Sequence, residues 1–84
     1  MSFNIDNIKK SIQRKKYWKL HIEISLENSF FELIELIKIK KINRNLPINE
    51  RISKNIIWTK YLQELLKKTY LEIIELEKKQ VYSF

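Results

Sequence analysis

After Pro47, apolar residues recur three and four apart for about thirty residues, with neither Gly nor Pro to interrupt them. On a wheel stepping about 100° per residue, Ile52, Ile56, Trp58, Leu62, Leu65, Leu66, Thr69, Tyr70, Ile73, Ile74 and Leu76 share roughly half of the circumference. The opposite arc carries Lys60, Glu64, Lys67, Lys68, Glu75 and Lys78. This pattern predicts a long helix over about 50–80, capped by Asn49. At 1.5 Å per residue it would run about 46 Å, well beyond a compact globule with a radius of gyration of about 12 Å. The apolar arc is also wider than the seam of a two-stranded coiled coil, and Ile57, Tyr61 and Leu71 lie outside it. A helix of this kind is expected to touch two neighbours, overhang its own domain or pack on a second chain.

Upstream, Ile5, Ile8 and Ile12 follow helical spacing from a start at Asn4, with Asp6 suited to the first turn. From Tyr17 the pattern changes. Trp18, Leu20, Ile22, Ile24 and Leu26 alternate with Lys19, His21, Glu23 and Ser25, which is the period of a strand. The same residues form two helical stripes, Trp18-Ile22-Leu26 and Tyr17-Leu20-Ile24. A lone strand leaves backbone groups without partners, and no second strand follows. Helix over about 4–26 is therefore favoured, with a short strand at 18–26, pairing with another chain, as the alternative.

Asn28-Ser29 predicts an end to this element, because Ser29-Phe30-Phe31-Glu32 matches the capping box in which Ser and Glu satisfy each other's orphan N–H groups. A second helix of about 30–42 then buries Phe30, Leu33, Ile34 and Ile37, with Lys38, Lys40 and Lys41 in its last turns. Residues 43–49 form the loop, since Pro47 disfavours helix at Leu46. The Val81-Tyr82-Ser83-Phe84 tail either docks or frays. The expected fold is all-α: one domain over 1–84, about three helices with a long C-terminal one, completed by self-association or a partner.

Composition narrows the chemistry. The 84 residues include no cysteine and one histidine, so neither a disulfide nor a thiolate metal site supplements a modest core. No apolar run is long enough for a transmembrane span or signal peptide, and a cytoplasmic, intracellular protein is expected. Without glycine there is no phosphate-cradling loop and no nucleophile elbow. His21 stands alone, and the Glu32/Glu35 and Glu72/Glu75 pairs lie on solvent-facing arcs rather than in contrasting environments within a cleft. Neither catalytic residues, nor a metal site, nor a cofactor is expected.

The net charge of +7 points to an anionic partner. Its weight is reduced by the bias of the chain toward Lys, Ile and Asn, and by the excess of Lys over Arg, whose planar fork suits phosphate better. The basic residues fall in two blocks. Lys9, Lys10, Arg14, Lys15, Lys16 and Lys19 run into Tyr17 and Trp18, while Lys40, Lys41, Arg44 and Arg51 surround the loop. The first expectation is a non-enzymatic basic protein docking on nucleic acid or a ribonucleoprotein through blocks 9–19 and 38–54, with Tyr17 or Trp18 stacking on a base. The alternative is a protein-interaction module, such as a homo-oligomer, an antitoxin or immunity-type partner, or a phage-type inhibitor. Its interface would centre on Trp58, Tyr61, Leu65 and Leu71. A membrane-surface role ranks third, because the basic first helix lacks a strongly lipophilic face.

Overall fold

The computed structural model describes residues 2–81, with side chains from Asp6 onward, so the Asn4 cap and Tyr82-Ser83-Phe84 of the terminal tail lie outside the described side chains. Two helices make up the fold: α1 spans Ser2–Ile42 and α2 spans Asn49–Val81. They fold back on each other as an antiparallel hairpin measuring 65 × 14 × 13 Å. Its radius of gyration is 18.9 Å, against about 12 Å for a compact domain of this length.

This overturns the expected three-helix bundle. The chain does not break at 28–29, and among the described residues there is no strand at 18–26. Each difference has its own physical cause. Ser29 is buried between the helices, where its hydroxyl lies 2.6 Å from Thr59 Oγ1, and its carbonyl accepts a hydrogen bond from Asn55 Nδ2 at 3.1 Å. Glu32 reaches across to Arg51 at 3.6 Å instead of back to Ser29. With neither Gly nor Pro nearby, one serine costs a helix only a few tenths of a kcal/mol, too little to end it. The alternation over 18–26 arises from two helical stripes superimposed: Ile22 and Leu26 face α2, while Tyr17, Leu20 and Ile24 face outward.

The buried positions show how the helices mate. On α1 the row Ile12, Lys15, Lys19, Ile22, Leu26, Ser29, Leu33, Leu36, Lys40 alternates steps of three and four. From Ile48, just before α2, the row Ile48, Ile52, Asn55, Thr59, Leu62, Leu66, Thr69, Ile73, Leu76, Gln80 does the same. These are heptad seams, packed as in a coiled coil. Ile22, Leu26 and Leu62 form the central cluster, with Leu65 and Leu66 against it. The seam is thin. No described side chain is fully enclosed, because two helices alone have no interior.

The connection is a tight turn over 43–48. Asn45 N–H donates to Asn43 Oδ1 at 3.2 Å, and Leu46 N–H to the Asn43 carbonyl at 3.3 Å. Ile48 rather than Asn49 occupies the cap position, since its carbonyl accepts the Ile52 N–H at 3.0 Å. Asn49 Oδ1 instead accepts from Lys40 Nζ, tying the two helix ends together.

Candidate interaction surface

Heptad geometry gives the hairpin two flanks, and one of them gathers both tryptophans. Trp18, Ser25 and Glu32 line its α1 edge at seven-residue spacing, facing Arg51, Trp58, Leu65 and Glu72 on α2. The next residues outward are Arg14, His21, Asn28 and Glu35 on α1, and Lys54, Tyr61, Lys68 and Glu75 on α2. Trp18 and Trp58 are each 51 % exposed although they border the central cluster. Between them runs a groove of about 200 Å³ lined by Trp18, His21, Ser25, Trp58, Tyr61 and Leu65, with Ile22 and Leu62 as its floor. The Trp58 and Tyr61 rings stack at 5.4 Å and 25°, while His21 meets the edge of Tyr17 at 4.6 Å.

Charged residues close the flank at both ends. Toward the turn, Arg51 pairs with Glu32 across the helices at 3.6 Å. Toward the open end, Lys15 Nζ donates to Glu72 at 2.5 Å. The hydrogen bond from Lys15 is the main reason the Glu72 carboxyl lies below its ordinary range, with partial desolvation opposing it and Lys68 adding a smaller lowering. Beyond this pair a shallow groove of about 550 Å³ opens over Leu71, Glu75, Leu76 and Lys79. It lies toward the hairpin's open end, and charged chains dominate its rim.

The residues predicted for protein contact thus largely come together. Trp58, Tyr61 and Leu65 are contiguous, whereas Leu71 lines the separate groove toward the open end with Glu75 and Lys79. Sequence reasoning missed Trp18 and His21 as their companions. Their signal was the seven-residue repeat they share with Ser25 and Asn28, legible only once α1 is continuous.

The predicted basic residues do not come together. Because α1 is unbroken, Arg14 and Lys40 stand about 39 Å apart along it, with block 9–19 at the open end and Lys40, Lys41, Arg44 and Arg51 at the turn. Within the first block, Lys15 and Lys19 occupy the seam. Lys15 is held by Glu72, and Lys19 by Glu23 at 3.1 Å and by the Tyr70 ring at 5.9 Å. Lys9, Lys10, Arg14 and Lys16 spread around the remaining circumference.

No described helix is long and apolar enough to cross a membrane. Among the described residues, no three His, Asp or Glu side chains gather as metal ligands would. Comparison with protein-family models, with curated proteins and with solved structures gives no match.

Proposed function

We propose that this chain is a non-enzymatic protein-docking hairpin, which buries the flank bearing Trp18, Trp58 and Tyr61 against another polypeptide. The observation that carries this reading is the placement of both tryptophans, half exposed, on one groove with Tyr61. Tryptophan and tyrosine at the centre of a patch with a charged rim are the composition of interface hot spots. The accessible surface points the same way. It is 6953 Å², against about 5400 Å² expected of a compact monomer of this mass. The excess is about twice the ~800 Å² that one partner contributes to a standard interface, so such an interface can be buried within it. Nucleic-acid binding has less support, since the two basic blocks lie at opposite ends and seam contacts hold Lys15, Lys19 and Lys40.

A photo-crosslinking residue at position 61, introduced in living cells, tests the proposal. Covalent products containing protein, lost when Trp58 is changed to Ser, are expected. Products containing only nucleic acid, or binding to nucleic acid that falls steeply with salt and is indifferent to Trp58→Ser, would overturn it.

A further inference from the structure

We infer that the occupant of the aromatic flank is a second copy of this chain, laid across it antiparallel so that two hairpins form a four-helix bundle with their turns at opposite ends. The inference deepens the proposed function and rests on it. Its ground is the order of charges along the flank. On α2 the order is basic Arg51 and Lys54, then the aromatic stretch, then acidic Glu72 and Glu75. Reversed about residue 63, the sequence sets Arg51 opposite Glu75 and Lys54 opposite Glu72. On α1 the order is opposite in sign: basic Arg14 toward the open end, acidic Glu32 and Glu35 toward the turn. Reversal about the midpoint between residues 24 and 25 sets Arg14 opposite Glu35.

The two centres of reversal coincide in space. Lys15 meets Glu72, and Ser29 meets Thr59, so residue 24 of α1 lies level with residue 63 of α2. A single two-fold axis there, lying in the interface and running across both helices at right angles to them, satisfies both at once. Such an interface is isologous. It buries the tryptophans at its centre and exposes the charge pairs at its rim, where they set orientation more than affinity. Lys68 breaks the alternation, but it falls opposite the partner's Trp58, where an ammonium over an indole face is favourable.

Parallel pairing, about an axis along the hairpin, turns α2 onto the partner's α1. It matches the charges too, but lays Trp58 and Tyr61 beside polar Asn28 and Ser25, whereas the antiparallel arrangement sets Tyr61 against Leu65 of the second copy. The area also fits. One long face of a hairpin 65 Å by 14 Å offers roughly 900 Å², close to the ~800 Å² per partner of a standard interface.

The chain has no cysteine, so Arg44→Cys places one nitroxide per copy at the turn, away from the flank. The purified protein should sediment as a dimer, with a label-to-label distance of roughly 55–60 Å from the helical rise between the turn and the axis. Trp58→Ser with Tyr61→Ser, counted twice by symmetry, should weaken the dimer about 1000-fold or more. A monomer at millimolar concentration, a trimer, or a label distance under about 30 Å would overturn the inference. The labelled chain with its native flank gives these readouts even where the double variant fails to fold. A monomer that still crosslinks to other protein through position 61 sinks the second copy and leaves the docking reading standing. An assembly whose position 61 crosslinks to nothing sinks both.

Discussion

The seam and the aromatic flank invert the usual distribution of polarity. The seam holds Lys15, Lys19, Ser29, Lys40, Asn55, Thr59 and Thr69 among its apolar residues, whereas the flank displays Trp18, Trp58 and Tyr61 to solvent. In a self-sufficient domain the large aromatics would be inside and the lysines outside. The difference separates two tasks. Polar seam layers cost stability but fix which residue meets which: Asn55 Nδ2 donates to the Ser29 carbonyl, and Asn55 Oδ1 accepts from Thr59 Oγ1 at 3.2 Å. A slip by one heptad would strand these groups against apolar neighbours. The flank spends its aromatic area on contact outside the chain instead.

The contrast can be broken most forcefully at the seam. Leu62 is 3 % exposed at the centre of the one apolar cluster, and Leu62→Ala should cost about 2–5 kcal/mol in urea unfolding. Asn55→Ala should cost less, about 1–3 kcal/mol, by leaving the Ser29–Thr59 pair incompletely satisfied. Replacing Ser29, Asn55 and Thr59 together by Ala, Leu and Val should restore most of that stability. The restored hairpin should sample more than one register, visible as doubled amide resonances.

Half of this architecture was legible in the sequence. The helix after the turn was evident because Pro47 fixes its start and its apolar steps of three and four continue unbroken. α1 was not, for two reasons rooted in its own residues. Ser29 and Glu32 spell a helix start that the fold uses as a polar layer and a cross-helix ion pair. Lys15 and Lys19 occupy seam positions that hydrophobic periodicity assigns to solvent. The flank was half legible for the same reason. Trp58, Tyr61 and Leu65 belong to α2, while Trp18 joins them only through a pairing that depends on α1 continuing past Ser29.

Smaller effects sharpen the comparison. In dilute solution, Trp58→Ser with Tyr61→Ser should cost the hairpin about 1–2 kcal/mol, less than Leu62→Ala, because each ring is only half buried. The same pair of substitutions should remove the concentration dependence of the melting temperature. The smallest effect concerns Lys15 and Glu72. A carboxyl depressed in the folded state stabilises above the ordinary carboxylate range, and that contribution is lost as pH falls through the folded value. Exposure keeps it modest. Glu72→Gln should therefore slightly flatten the loss of melting temperature between neutral and acid pH, and leave the neutral-to-alkaline limb unchanged.

The most direct measurement is the access of a neutral quencher such as acrylamide to tryptophan fluorescence across protein concentration. The chain has two tryptophans, and both lie on the flank in question. Quenching that falls several-fold between low micromolar and millimolar protein, together with a doubling of mass, is the predicted result. Quenching that stays high and constant over that range would contradict the claim that a second copy covers this flank.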